Sequence, residues 1–404
     1  MFGVTDDYAK IQMKKLIFTL TLAFATACGF AQDGDLVNPG FYEIKGKVRN
    51  VPDGTVLCLM RFNTDYGVVV GNDTISNGEF YFKLVAESDD CEKLALGGFM
   101  NEGFSMLVTP LWASAGDCVL VEGEDKLMYT WKVTGPAPEN TVWARYIKKS
   151  FEEWKCYESL SAEARSMSAK GNTDERAVEC IQRINGELDS LKLRICANDL
   201  SIMKQTVVDD IWMDRFYFAT LCMQNIKDFT YTDELRQLYG GLTTEQRSHY
   251  LAKKAYVNLY PQEQAPSDKK AIDGEMIDLD GKKHTLAELK GKYILLDFWA
   301  NGCGPCVKAL PELAVVARMY KDKLCVVSVN LESEEVWREA LKEHPVSWYN
   351  WNDGYNGSAL YARYRSDRDG IPLFVLISPD GYILEQWCGY GEGVILEHLS
   401  GTVE

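Results

Sequence analysis

Apolar residues recur at every second position in several short segments between residues 41 and 135, the period of a strand with one buried face. Turn signals separate these segments, as at Val51–Gly54, which contains Pro-Asp-Gly. Strands are predicted at Tyr42–Val48, Cys118–Glu122 and Tyr129–Val133, and Ser76–Phe82 is predicted to be a hairpin turn that enters a strand. The pattern predicts a small all-β sandwich or barrel over residues 38–135.

The period changes after the boundary Thr134–Pro138, and apolar residues then recur every three or four positions. This spacing predicts a helical region over residues 139–260. Met, Phe and Tyr are frequent in Ile211–Met223, and this cluster is interpreted as packed helical core rather than as a cofactor-binding segment. Tyr260–Pro266 then resembles a linker.

An α/β order follows over residues 267–404: two strands, a helix, a strand, a helix and a β-hairpin. Tyr293–Ala300 is continuously apolar apart from one aspartate, as expected of a buried central strand. The following predicted elements are a helix at Pro305–Tyr320, a strand at Leu324–Asn330, a helix at Val336–Glu343, and hairpin strands at Leu373–Ser378 and Tyr382–Trp387. The fold class is therefore multidomain, with all-β, helical and C-terminal α/β parts.

The 404 residues carry 59 acidic and 43 basic side chains, for a net charge of −16. This balance argues against nucleic acid and against anionic membrane surfaces as partners. It identifies no substrate.

The N-terminus is typical of an export signal. Lys14 and Lys15 precede an apolar stretch, Leu16–Ala27, that is too short to span a membrane. A signal peptide is predicted over residues 13–31, with Met13 as the start, and the mature protein is expected in the periplasm or cell envelope. Cleavage before Gln32 would release it, whereas a lipobox-like sequence before Cys28 would give a lipid anchor there; a buried N-terminal helix is the structural alternative.

The candidate chemistry lies in Cys303-Gly-Pro-Cys306, directly between the central strand and the next predicted helix. A helix N-terminus stabilises a thiolate through its free N–H groups and its dipole, so Cys303 is predicted to be the attacking residue. Two intervening residues place Cys306 one turn along, where it can resolve a mixed disulfide. Pro305 suits the first helical turn. A redox disulfide between Cys303 and Cys306 is expected.

A structural disulfide or half of a metal site is the alternative for this motif. A tetrahedral site needs more ligands, and there is no second C-x-x-C and no partner spacing among the four histidines. No metal and no cofactor are therefore expected. Without Cys28 and the motif pair, nine scattered cysteines remain, which is no disulfide framework. Most of them are expected to be buried as small hydrophobic residues.

Residues 271–400 resemble the thioredoxin superfamily, specifically the exported TlpA/ResA-like thiol–disulfide oxidoreductases. The segments that carry the resemblance are Gly291–Ala300, the CGPC motif, Ala309–Leu313 and Gly370–Val375. The β-region followed by helices is more loosely similar to the domains that precede such modules in many Bacteroidetes envelope proteins.

The resemblance implies roles for four further residues. Pro372 would be preceded by a cis peptide bond beside the disulfide, with an ordinary edge-strand proline as the alternative. Ile371 would offer backbone hydrogen bonds to a substrate peptide. Asp297 would be a buried acid with a raised pKa that accepts the proton of Cys306, with a surface or capping aspartate as the alternative. Trp299 would pack beside the site and contact substrate, or serve only as core.

Two positions depart from the family pattern. Gly302 replaces the usual tryptophan before the first cysteine, which is expected to leave Cys303 more open. Ala309 replaces a glutamate found in many exported relatives, which leaves Asp297 as the candidate proton acceptor. Cys388 is interpreted as core filler, with a third redox thiol as the alternative.

These features predict a protein disulfide reductase. Its expected partners are disulfide-containing envelope proteins and a membrane or periplasmic thiol electron donor. The alternatives are a binding or scaffold protein with a vestigial redox module, and a peroxiredoxin, for which the P-x-x-x-T-x-x-C sequence is lacking.

Overall fold

The computed structural model describes residues 40–62, 67–87, 90–169, 175–260, 270–353, 360–365 and 370–403. The predicted signal peptide, Cys28 and the predicted linker after Tyr260 lie outside these ranges. Within them, no helix combines the length and the apolar composition that crossing a bilayer requires.

The N-terminal domain is a sandwich of two sheets, as the alternating pattern predicts. Its strands are β1 (Phe41–Arg49), β2 (Val56–Phe62), β3 (Gly67–Thr74), β4 (Glu79–Val85), β5 (Glu92–Gly97), β6 (Thr109–Ala113), β7 (Cys118–Glu124) and β8 (Lys132–Thr134). The described strands form one sheet in the order β4-β1-β7-β8 and another in the order β3-β2-β5-β6. Inward-facing residues such as Ile44 and Leu59 are fully buried between the sheets.

The predicted strand at Tyr129–Val133 is wrong over its first half. Met128–Thr130 form a short 3-10 helix, and β8 begins only at Lys132. The Thr130 hydroxyl donates to the Leu127 carbonyl oxygen at 2.8 Å and closes the turn. The Tyr129 ring turns away from the sandwich and packs on Trp154 of the helical region, with ring centroids 4.3 Å apart. Tertiary packing overrides the local strand preference here.

The helical region consists of α1 (Pro138–Lys149), α2 (Phe151–Ala169), α3 (Glu175–Met203), α4 (Asp210–Asn225), α5 (Thr232–Gly240), α6 (Thr244–Ser248) and α7 (Tyr250–Leu259). Ile211, Trp212 and Phe216 of α4 are buried in its core, which supports the interpretation of this cluster as packing. Asn140 of α1 provides hydrogen-bond partners for the backbone at the edge of the sandwich. Its Oδ1 accepts from the Trp112 N–H of β6, and its Nδ2 donates to the Trp112 carbonyl oxygen. The helices thereby cover that sheet edge.

The C-terminal domain is a mixed sheet with helices on both faces. Its strands are β9 (Met276–Ile277), β10 (Lys283–His284), β11 (Tyr293–Trp299), β12 (Leu324–Asn330), β13 (Tyr349–Asn352), β14 (Leu373–Ile377) and β15 (Ile383–Cys388), in the spatial order β10-β9-β13-β12-β11-β14-β15. β11 pairs in parallel with β12 and antiparallel with β14. It is therefore central, as its apolar sequence predicts.

The helices of this domain are α8 (Gly304–Met319), α9 (Glu334–Glu343), α10 (Leu360–Tyr364) and α11 (Val394–Leu399). Leu313 of α8 and Leu399 of α11 pack with Leu295 on one face of the sheet. Tyr364 of α10 packs with Phe298 on the other face. The sequence pattern predicts neither α10 nor α11, and it does not predict β13. Because α8 begins shortly after the central strand ends, its N-terminus lies at the carboxyl end of β11.

Candidate redox site

The two cysteines of the CGPC motif lie at the start of α8. Cys303 is the N-cap residue of this helix, and a disulfide joins it to Cys306, with 5.2 Å between the two Cα atoms. β11 ends four residues earlier, at Trp299. A buried strand that ends in a short loop thus fixes the position of the first sulfur.

The two sulfurs differ in environment. Cys306 is 1% exposed, whereas Cys303 is half-buried and flanked by the exposed residues Gly302, Gly304 and Pro305. The backbone N–H of Cys306 donates to the Cys303 Sγ at 3.2 Å. This hydrogen bond and the helix N-terminus stabilise negative charge on that sulfur when it is reduced. The arrangement supports Cys303 as attacker and Cys306 as resolver.

The loop before β14 lies against the disulfide. The Ile371–Pro372 peptide bond is cis. The Ile371 carbonyl oxygen lies 3.5 Å from the Cys303 Sγ, so this backbone segment borders the more exposed sulfur. The Pro372 carbonyl accepts a hydrogen bond from the N–H of Gly389 at 2.8 Å, which ties the loop to the end of β15. The Ile371–Pro372 segment therefore borders the more exposed sulfur of the pair.

Asp297 is buried in the central strand and is 1% exposed. Strand alternation puts it on the same face as Leu295 and Trp299. Leu295 packs on α8, and Trp299 packs against Cys306, so the carboxyl lies in the layer beneath that helix. Burial raises the pKa of Asp297 to about 7, although a hydrogen bond from Ser328 opposes the rise.

The Asp297 carboxyl is hydrogen-bonded through one oxygen. The Ser328 hydroxyl donates to Oδ2 at 2.7 Å, and Ser328 accepts from the Trp348 indole N–H at 2.9 Å. Oδ1 has no hydrogen-bond partner within the described residues. This carboxyl can hold a proton near neutral pH and release it. Neither Ser328 nor Trp348 was predicted from the sequence.

Trp299 is fully buried and packs with Cys306, Trp337 and Ala340. A side chain with no exposed surface cannot reach a bound peptide without rearrangement. The placement favours support of the disulfide from inside over the predicted contact with substrate.

The prediction that Cys388 is core filler is wrong. Cys388 ends β15 and is exposed, and its sulfur accepts a hydrogen bond from the Gly370 N–H at 3.2 Å. The prediction that most of the nine other cysteines are buried is also wrong. All nine lie in the described ranges, and the buried ones are Cys58, Cys196, Cys222 and Cys325. Cysteine is apolar enough for either environment, so the sequence pattern separates them poorly.

A buried polar network that was not predicted holds the loop before Cys303. Glu332 is 1% exposed and lies two residues after the end of β12. Its Oε2 accepts the backbone N–H of Asn301 at 2.7 Å and the side-chain amide of Asn330 at 2.9 Å. Asn352 of β13 donates to the Glu332 carbonyl at 2.9 Å. The sequence held one signal for this network. Polar residues stand at or just after the ends of predicted strands, and the carboxyl ends of parallel strands lie side by side.

Glu332→Ala is expected to lower the free energy of unfolding by about 1–3 kcal/mol, because the Asn301 N–H and the Asn330 amide lose their acceptor in a buried site. It is also expected to slow thiol exchange at Cys303 by about tenfold through misplacement of the loop. Urea unfolding and thiol-exchange rates measure the two effects. Glu332→Gln, which keeps one acceptor oxygen, should recover most of both; equal losses in the two variants would contradict this role.

Comparison with known proteins gives relatives for this domain. Residues 291–383 match a family model described as thioredoxin-like. The chain is 39% identical over 137 residues to the thioredoxin-like protein YneN of Bacillus subtilis (strain 168), covering 33% of this chain and 72% of that protein. It is 31% identical over 124 residues to the thiol–disulfide oxidoreductase ResA of Bacillus thuringiensis (strain Al Hakam), covering 30% and 69%.

Among solved structures, a crystal structure of the thioredoxin domain of a thiol–disulfide oxidoreductase from Bacteroides vulgatus is similar. It has 26% sequence identity and a TM-score of 0.30, and the match covers 34% of this chain and 100% of that one. The matches to these three proteins cover about a third of this chain. The looser resemblance of the upstream domains to Bacteroidetes envelope proteins stays a prediction.

Proposed function

This chain belongs to the thioredoxin-like family, with thiol–disulfide oxidoreductases among its relatives, and from that premise we propose that it reduces protein disulfides with its Cys303–Cys306 dithiol. One observation carries the proposal. The more exposed sulfur of the pair caps a helix, receives the Cys306 N–H and borders the Ile371 carbonyl. A nucleophile, its stabilising donor and a backbone docking segment thus meet at one point.

The reaction begins with the Cys303 thiolate. It attacks one sulfur of the partner disulfide, forms a mixed disulfide and releases the other partner sulfur as a thiolate, which takes up a proton. Asp297 then accepts the proton of Cys306. The Cys306 thiolate attacks the Cys303 sulfur, the internal disulfide forms, and the second partner sulfur leaves as a thiolate, which takes up a proton. Two electrons have passed from the dithiol to the partner.

Recognition of the partner is assigned to the backbone at Ile371 and Pro372. An extended peptide can pair with an exposed backbone segment in the manner of an added strand. Such contacts depend little on side chains, so several exported proteins could serve as substrates. The oxidised protein would be recharged by a membrane or periplasmic thiol donor, and the site of action would be the cell envelope, with release or a lipid anchor at Cys28 as the two forms.

Reduction of insulin tests the proposal. The reduced chain is expected to release insulin thiols at least ten times faster than a control with neither protein nor dithiothreitol. One Cys303–Cys306 dithiol should be consumed per disulfide reduced. Thiol titration before mixing confirms that both cysteines are free. No release from fully reduced protein would contradict a general reductase and would favour the scaffold alternative.

A further inference from the structure

Three side chains form a hydrogen-bonded series that ends on the buried carboxyl of Asp297. The Trp348 indole N–H donates to the Ser328 Oγ at 2.9 Å, and the Ser328 hydroxyl donates to the Asp297 Oδ2 at 2.7 Å. Ser328 is 0% exposed and lies on β12 directly beside Asp297 of β11. Trp348, the residue before β13, is half-buried and lines a groove beside α8. The series therefore connects a residue at the protein surface to a carboxyl in the core.

The direction of each hydrogen bond in this series is fixed. An indole N–H can only donate, so the hydroxyl proton of Ser328 cannot be directed to Trp348 and is directed to the Asp297 Oδ2. A proton taken up by the carboxyl is therefore expected on Oδ1, which has no hydrogen-bond partner in the described part of the chain. Because the indole N–H polarises the hydroxyl toward the carboxyl, the two bonds together stabilise the ionised form more than the serine alone would.

Burial acts on Asp297 in the direction opposite to these hydrogen bonds. It raises the pKa of the carboxyl, and the bond from Ser328 opposes the rise. Among the described residues, no charged side chain adds to this balance. The hydrogen-bonded series is thus the polar influence that keeps the carboxyl from holding its proton still more tightly.

Titratable side chains on the surrounding elements either have partners elsewhere or line the groove at Trp348. The former are Glu312, which accepts from backbone N–H groups at the start of α11, Glu332, which accepts from the Asn301 N–H, and His398, which contacts Glu385; the latter are Glu343 and His344. β14 and α9 contribute Phe374 and Trp337, which do not titrate. Cys306 of α8 titrates only when its disulfide is reduced.

We propose that Ser328 and Trp348 are positioning residues that keep Asp297 ionised at lower pH than burial alone would allow, and that they thereby set the lowest pH at which Cys306 is readily deprotonated. This role rests on the proposed function, in which Asp297 accepts that proton. The S–H bond of Cys306 breaks and an O–H bond forms on Asp297, before the thiolate attacks the mixed disulfide. Ser328 and Trp348 act through the carboxyl rather than on the sulfurs.

Three substitutions separate the members of the series. Ser328→Ala removes the direct donor and is expected to raise the pH midpoint of Asp297 by about 1–2 pH units, the size of a hydrogen bond to a charged group. Trp348→Phe keeps an aromatic ring in the groove but removes the polarising N–H, so the midpoint should rise by about 0.3–0.5 pH units. Ser328→Thr keeps the hydroxyl and is expected to leave the midpoint where the parent protein has it.

Carbon-13 NMR of the oxidised full chain, labelled at the side-chain carboxyls of aspartate, measures this midpoint directly. The signal of Asp297 is the one that Asp297→Asn removes. Trp337→Phe is the matched control, because it removes a buried indole N–H that donates to Asn350 at 2.7 Å and not to Ser328. It is expected to lower the melting temperature without moving the Asp297 midpoint.

The reduced protein tests the kinetic consequence. Release of the second thiol from a mixed disulfide at Cys303 is followed in a single turnover between pH 5 and pH 9. In Ser328→Ala this release is expected to be about tenfold slower at pH 7 and to approach the parent rate near pH 9, because the carboxyl ionises at higher pH. A merely structural role for Ser328 would lower the rate equally across the pH range.

The outcomes separate this role from the proposed reduction of disulfides. An unchanged Asp297 midpoint in folded Ser328→Ala would overturn the role of the series, and an unchanged midpoint in Trp348→Phe would overturn the role of Trp348. Either result leaves disulfide reduction by Cys303 and Cys306 intact, since the NMR titration uses the oxidised protein. A raised midpoint without a matching shift of the rate profile would overturn the link to resolution and would count against Asp297 as the proton acceptor.

Discussion

Replacing Cys303 with serine is expected to lower the rate of insulin reduction by at least about 1,000-fold. A hydroxyl at this position stays protonated at neutral pH, so neither the helix N-terminus nor the Cys306 N–H can supply a nucleophile from it. Cys306 cannot replace it, since its sulfur is buried and only 1% of the residue is exposed. Thiol release from insulin under identical conditions measures the loss.

A matched control for this change is Cys388→Ser. Cys388 is an exposed thiol that accepts a hydrogen bond from Gly370, in the loop that borders the disulfide. This variant is expected to keep the wild-type rate within about threefold if Cys388 has no redox role. Retention of more than a tenth of the activity in Cys303→Ser would remove Cys303 from the mechanism. A collapse in Cys388→Ser would instead revive the third-thiol alternative.

Asp297→Asn is expected to stabilise the protein at alkaline pH and to slow the resolution of the mixed disulfide. Burial raises the pKa of this carboxyl from 3.8 to about 7. The folded protein therefore holds a proton that the unfolded chain releases above about pH 4, and the free energy of unfolding falls as pH rises through this window. A neutral amide of the same shape removes that cost, for a gain on the order of 2–4 kcal/mol at pH 8 and little change at pH 4.

The catalytic consequence has the opposite sign. Without the carboxylate, the proposed proton acceptor of Cys306 is lost, and resolution of the mixed disulfide is expected to slow by about 100-fold near neutral pH. Urea unfolding at pH 4 and pH 8, together with single-turnover thiol release, separates the two effects. Asp322→Asn, at an exposed position of the same domain, should change neither. A stability change that does not depend on pH would contradict the placement of a titrating Asp297.

The sequence pattern predicts the bounds of an element most accurately where its environment is uniform along its length. β11, β12 and α8 were predicted to within one or two residues at each end, because their apolar runs or helical periodicity match a single environment. β13 was missed because its sequence, Tyr-Asn-Trp-Asn, is polar for a central strand. Its asparagines are buried with hydrogen bonds: Asn350 accepts from the Trp337 indole, and Asn352 donates to Glu332.

The residues of the candidate site also fall into a group that could be predicted from the sequence and a group that could not. Cys303 and Cys306 could be predicted from spacing and helix position, and Ile371, Pro372 and Asp297 from the family resemblance. Their supporting residues could not, since Ser328 and Glu332 come close to Asp297 and Asn301 only through pairing of distant strands.

The most direct measurement is to trap the intermediate. Cys306→Ser protein, reduced and mixed with insulin, is digested after alkylation, and the sulfur joined to insulin is identified by mass spectrometry. We expect a stable covalent adduct at Cys303 and none when Cys303 is also replaced by serine. An adduct at any other cysteine, or none at all with Cys303 shown to be free, would contradict disulfide reduction through the CGPC motif.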